Sequence, residues 1–245
     1  MKQIIRMEGI VLKTADYKEQ AVIATILTKQ GKNNYIIKGA KKISGGTRLL
    51  AVPLTKIEFN CTCHEGLNTL TEGAILDSYI SIKQNMNKLL VMYPILEKIL
   101  TFADQVTDNL IFYEFVSSIF NLLSKDYEED AILAIFETKL TFLLGINPEL
   151  KICLVCGREA KSGVFSINEG SIICDDCSTN YTSDLTKEET EIFKLIYLLK
   201  LEKVNNEYIN YIKKYIKRIN FMLDIYYQKH LDYISKSKQI TQKLK

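Results

Sequence analysis

Cys153, Cys156, Cys174 and Cys177 form two C-x-x-C pairs with seventeen residues between them, the spacing of a tetrathiolate zinc knuckle. Each pair suits a tight turn that points two sulfurs at one ion. The intervening segment, with Gly157, Gly163, Asn168 and Gly170, has the composition of a small hairpin running out and back. Four thiolates fill a tetrahedron and leave no position for water or substrate, so the zinc expected here is structural and activates no nucleophile. The competing reading, two disulfides, needs an oxidising compartment. The amino terminus MKQIIRMEGIVLK has neither an apolar signal core nor a small-residue cleavage site, so a cytoplasmic chain with reduced thiols is expected.

A chain of 245 residues with 47% apolar content can build cores for two or three small domains. No membrane span is expected, because the most apolar stretch, residues 89–100, is broken by Tyr93-Pro94 and Glu97-Lys98. The net charge of +3 hides a segregation. Residues 1–56 carry eleven basic side chains against three acids, giving +8. Residues 81–150 carry five against ten, giving −5, and residues 181–245 carry thirteen against eight, giving +5. A polyanion is the natural partner of the two ends, and a protein that of the acidic middle.

Hydropathy divides the chain by period. Five β-rich runs cover residues 4–14, 21–28, 33–39, 48–61 and 67–79, with Lys29-Gln30-Gly31-Lys32 a hairpin signal and Gly45-Gly46 in a longer connection. Five strands in about 80 residues fit an OB barrel or an SH3-like barrel, and periodicity alone does not separate them. Beyond residue 80 the apolar spacing becomes three and four, predicting helices that end at Gly145 and Pro148. Thr186 with Glu189 makes a capping box for a further helix. In the last long helix Ile212, Tyr215, Ile216, Ile219, Leu223 and Tyr226 form a stripe opposite Lys213, Lys214, Lys217 and Arg218. The expected class is α+β. Its parts are a five-stranded barrel over residues 1–80, a helical domain over 81–150 and 182–234, an inserted four-cysteine zinc knuckle over 151–181, and a flexible basic tail over 235–245.

Two segments carry a family resemblance: GIVLKTADYKEQ…TILTKQGKNNYIIKGAKK in residues 9–42, and FETKLTFLLGINPELKICLVCG in residues 136–157. In this order they resemble the RecO family of bacterial recombination mediators. The resemblance implies an OB-fold amino-terminal domain, a helical domain with an embedded zinc knuckle, and no catalytic centre. It also implies binding and annealing of single-stranded DNA, contact with duplex DNA, action with RecR, and help for RecA in replacing single-stranded-DNA-binding protein. Cytoplasmic, nucleoid-associated localisation follows from the same resemblance. In one place the chain departs from the family: the basic residues of the loop AKKISGGTR are split by residues 43–47.

The residues expected to contact DNA are Lys38, Lys41, Lys42 and Arg48 on and beside that loop, with Lys13 and Lys32 adding charge to the same face. Tyr35 and Tyr17 are the nearest aromatics able to stack on bases, though a strand tyrosine more often packs in the core. Lys213, Lys214, Lys217 and Arg218 form a secondary DNA surface, set against the plainer reading of a solvated helix face. Cys61, Cys63 and His64 invite a second metal, but in a strand the cysteines share one face and His64 leaves it, so a buried thiol pair is expected. His230 reads as a surface or half-packed residue. With no phosphate loop and no nucleophile motif, an enzyme is not expected. The alternative to a DNA mediator is a zinc-stabilised RNA-binding or transcription-associated module.

Overall fold

The computed structural model describes residues 4–42, 46–62, 68–179 and 181–244. Five strands, β1 (Ile4–Tyr17), β2 (Ala21–Thr28), β3 (Gly31–Lys38), β4 (Thr55–Thr62) and β5 (Asn68–Asp77), close into a barrel in the order β1-β2-β3-β5-β4. All neighbours are antiparallel except β3 and β5, which run parallel through Tyr35–Asn68 to Ile37–Leu70. That order is the OB-fold and resolves the choice that periodicity left open. Closure depends on the length of β1. Its first half pairs with β4 and its second half with β2, and Gly9, Ile10 and Val11 pair with both. Strict alternation in β4 puts Thr55, Ile57, Phe59 and Cys61 inside, where Phe59 meets Tyr35 edge-on at 5.1 Å.

The helices are α1 (Ile80–Lys83), α2 (Met86–Phe102), α3 (Asn109–Ser124) and α4 (Glu129–Leu143), followed by the hairpin β6 (Gly163–Ser166) and β7 (Ser171–Cys174). Then come α5 (Asp175–Ser178), α6 (Lys187–Leu198), α7 (Asn206–Ile212), α8 (Ile216–Leu231) and α9 (Lys236–Gln242). The signals read from sequence lie where expected. Gly145 closes α4 in the left-handed region at φ +70°, and Thr186 and Glu189 cap α6 reciprocally.

Two compact units result, and they do not follow the expected boundaries. The first combines residues 1–85 with 98–124, and the second 86–97 with 125–245. Residues 98–124, expected in the helical domain, belong with the barrel because side chains fasten them there. Tyr113 donates to Glu8 at 2.7 Å, Asn109 donates to the Gln30 carbonyl at 3.2 Å, and Lys32 donates to the Leu100 carbonyl at 2.7 Å.

The expected flexible tail is instead a docked helix. Ser235 caps α9 by accepting from the Lys238 N–H, and the Glu97 carboxylate accepts from the Lys236 and Ser237 N–H groups and the Ser235 and Ser237 hydroxyls. Lys238 is buried, at 2.6 Å from Asp224 and 3.1 Å from the fully buried Glu137. Burial alone would lower the Lys238 pKa, but the two carboxylates outweigh it and raise it.

Removing Lys238 strands a buried carboxylate, so Lys238→Ala should cost about 3–5 kcal/mol in urea unfolding. Adding Glu137→Gln to that variant should recover much of the loss. A single variant as stable as the parent would mean that α9 is not docked in solution. Burial works to raise the pKa of Glu97, but its hydrogen bonds hold it below the usual carboxylate range. The clamp therefore contributes above the ordinary value near 4.3 and is lost as pH falls through the lower folded value. Protection of the α9 amides, measured against their intrinsic exchange at each pH, should fall over that acidic window.

Candidate metal centre and nucleic-acid interface

The four knuckle cysteines are free thiols, and their sulfurs all lie within 4.8 Å of one another. A tetrahedron with metal–sulfur bonds of about 2.3 Å has edges of about 3.8 Å. The Cys156 and Cys174 sulfurs stand at that separation, 3.8 Å, so the donor set fits one tetrahedral ion.

Local geometry accounts for the convergence. The first pair sits in a turn closed by Gly157 N–H to the Cys153 carbonyl and by Cys153 N–H to the Arg158 carbonyl. The second pair straddles the end of β7 and the start of α5. Leu154 N–H donates to the Ile172 carbonyl at 3.0 Å, laying the first turn on the hairpin. The hairpin itself requires a glycine: a Cβ at Gly163 would stand 2.1 Å from the Ile173 carbonyl oxygen. Phe165 then anchors it, with Phe193 of α6 at 5.3 Å and Tyr226 of α8 at 6.2 Å. His230 is half-packed as expected, against Tyr226 and the Ile167 carbonyl.

The sulfurs are electrostatically unequal. Burial opposes ionisation of Cys153, but the N–H groups of Cys174, Cys156 and Val155 outweigh it and bring its pKa down to about 6. The hydrogen bond to Cys174, then burial, then the other sulfurs hold Cys177 up at about 12. A first thiolate therefore forms readily while the later ones resist, and a divalent cation at the centre removes that resistance.

On the barrel, the structure gathers Lys38, Lys41, Lys42 and Arg48. Lys38 ends β3, the Lys42 N–H closes a turn onto the Gly39 carbonyl at 3.0 Å, and Thr47 donates to the Lys38 carbonyl at 2.9 Å. Ala40 and Leu50 fix the segment by entering the barrel core, while the four cations stay exposed. Lys13 pairs in register with Thr25, and Thr25 with Asn34, so it shares the outward face that also carries Lys38. Two residues important to this surface were missed by sequence reading: Thr47, and Asp16, which holds Lys41 at 3.0 Å. The meander pairing that puts the end of β1 near the end of β3 was the available signal.

Two expectations fail. Lys32 lies at the other end of β3, about 20 Å from Lys38 along the strand, and pairs with Asp104 at 2.8 Å. It is a fastening for residues 98–124, not part of the cationic face. Tyr35 is 1% exposed and points inward beside Phe59, so it cannot stack on a base. Cys61 is buried, with Met7 sulfur at 3.5 Å, whereas Cys63, His64 and residues 43–45 lie outside the described residues. In the second unit Lys213 pairs with Glu128 at 2.9 Å and Arg218 approaches Glu189 at 3.7 Å. Lys214 and Lys217 are exposed on the same face.

Gly163→Ala should displace β6 from β7, costing about 3 kcal/mol, the upper end of overpacking, and should make the knuckle thiols react faster with a thiol reagent in native buffer. Unchanged reactivity would mean that the hairpin does not hold the cluster together.

Residues 1–79 match the family described as Recombination protein O N terminal, and residues 87–239 match Recombination protein O C terminal. The chain is 27% identical over 239 residues to the DNA repair protein RecO of Bacillus pumilus (strain SAFR-032), covering 96% of this chain and 93% of that protein. Identity to the DNA repair protein RecO of Bacillus subtilis (strain 168) is 25% over 239 residues, with the same coverage of 96% and 93%. A third relative, the DNA repair protein RecO of Oceanobacillus iheyensis, is 27% identical over 246 residues, covering 98% of this chain and 93% of its own length.

Proposed function

The chain belongs to the recombination protein O family of DNA repair proteins, and on that premise we propose that it binds single-stranded DNA, anneals complementary strands, and acts with RecR to help RecA replace single-stranded-DNA-binding protein. The observation that carries this reading is the group Lys38, Lys41, Lys42 and Arg48 at one end of an OB barrel, with Lys13 on the same outward face. Flexible cations along such a surface follow a phosphate backbone without reading sequence. Lys213, Lys214, Lys217 and Arg218 supply a second cationic surface on the other unit. Two such surfaces neutralise two strands at once and lower the repulsion that opposes their meeting. The family resemblance suggests RecR and the tail of single-stranded-DNA-binding protein as protein contacts, duplex DNA as a further ligand, and the nucleoid as the place of action. Among the described residues no helix is long and apolar enough to cross a membrane.

Cys153, Cys156, Cys174 and Cys177 would hold a structural zinc. A four-sulfur ion has no open position, so the ion supplies folding energy and no reaction chemistry. The proposed activity consumes no substrate, and the protein acts as a mediator, not an enzyme.

Fluorescence annealing of complementary strands should accelerate on adding the chain, without ATP. Failure on both bare strands and strands coated with single-stranded-DNA-binding protein would sink the mediator reading, and a preference for RNA over single-stranded DNA would favour an RNA-binding module. Reversing Lys41 and Lys42 to Glu should weaken strand binding and reduce the slope of log affinity against log salt by about one unit per lost phosphate contact. An unchanged slope would move the contact away from this loop. Elemental analysis should find one zinc per chain, and Cys153→Ser or Cys174→Ser should lower the melting temperature of the helical unit more than that of the barrel. Zinc-free protein whose variants melt like the parent would remove the metal from the account.

A further inference from the structure

Residues 211–221 carry four cations and no carboxylate, and the aromatic residues among them do not all turn inward. Tyr211 is 64% exposed and Phe221 is 54% exposed, while the apolar stripe of the same segment, Ile212, Ile216 and Ile219, is almost wholly buried. Exposure of two large rings therefore does not come from a shortage of inward positions. Tyr211 lies near the close of α7, Lys214 lies in the 3-10 turn Lys213–Tyr215 that leads into α8, and Arg218 and Phe221 lie in α8. All four are exposed and follow one another at spacings of three and four on the side away from the buried stripe. The Arg218 guanidinium lies 5.7 Å from the centre of the Phe221 ring, and the Lys214 ammonium lies 5.2 Å from that of Tyr215.

From this geometry we infer that the outer face of α7 and α8 is a stacking platform for single-stranded nucleic acid, with Tyr211 and Phe221 each taking a base and Lys214, Lys217 and Arg218 contacting the phosphates between them. The inference rests on the proposed strand-binding reading and adds to it the mode of contact at the second surface. The eleven residues from Tyr211 to Phe221, the 3-10 turn Lys213–Tyr215 included, span about 16 Å, room for several nucleotides of an unpaired strand. Charge decides the occupant. The cores of protein interfaces are depleted in lysine and joined into continuous apolar area, whereas here the exposed rings are separated by cations, the alternation that phosphate and base π-faces present in turn. On the barrel, Tyr35 is enclosed in the core and Tyr17 is half-buried with the Lys18 ammonium 5.3 Å from its ring.

The chain contains no tryptophan, so a single Phe221→Trp or Tyr211→Trp substitution reports from a dark background. Oligothymidylate should quench either tryptophan, and an abasic strand of equal length and charge should not, with anisotropy of the labelled strands recording binding in both cases. Phe221→Ala and Tyr211→Ala should each weaken oligothymidylate binding by about tenfold to a hundredfold, leave abasic binding unchanged, and leave the salt slope at its parent value. A tryptophan that stays bright while anisotropy shows the strand bound overturns the platform and leaves strand binding intact. No strand binding by the parent chain would instead overturn the reading on which the platform rests. Loss of RecR binding by the alanine variants, with oligothymidylate affinity unchanged, would assign this face to a protein and overturn the inference as well.

Discussion

The convergence of four sulfurs within 4.8 Å governs the second unit. The buried cluster beside the sulfurs is small, Cys153, Ala160, Ile172 and Ile173, and the hairpin's other anchor is Phe165 on its far side. On the proposed reading, a structural ion would add coordination to that limited burial. Once held, the hairpin presents Phe165 to α6 and α8, and the chain returns through Asp184, whose carboxylate accepts from the Ile167 N–H and whose carbonyl accepts from Arg218. The orientation of α8, and with it the cationic face, is thus coupled to the cluster.

The barrel solves a different problem with backbone alone. A closed sheet has no open edge along the strands that complete it, and the cost is that β1 must bend far enough to serve two neighbours. Gly9 sits at the shared positions, where a Cβ would stand 2.5 Å from Ile26 and 2.9 Å from the Leu27 carbonyl oxygen. The loop after β3 is free to carry charge because its own apolar residues, Ala40 and Leu50, are tied into that closed core.

What the sequence revealed and what it concealed differ by range. Capping at Thr186, the turn at Gly145 and the cysteine pairs were legible because partners lie within a few residues, where spacing fixes geometry. The inward turn of Tyr35 was foreseeable only as the commoner fate of a strand tyrosine, and the fastening of Lys32 was not legible, because residue type does not say what lies across from a strand's end. Lys238 is the extreme case. Its partner Glu137 is 101 residues away, so a helix held by a buried ion pair read as loose lysines. The division of residues 98–124 from the rest of the helices has the same origin in distant pairs such as Tyr113 with Glu8.

Asp16 has a consequence for kinetics. It holds Lys41 at 3.0 Å, so on the proposed reading a phosphate arriving at that lysine would displace a carboxylate already in place, and a departing phosphate would leave one ready to take over. Such an internal competitor lowers the net gain from the contact and stabilises the vacated surface, which shortens residence more than it slows arrival. A protein that brings strands together must also surrender the duplex it has made. On the proposed reading, one carboxylate placed against the grip turns a clamp into a hand that opens.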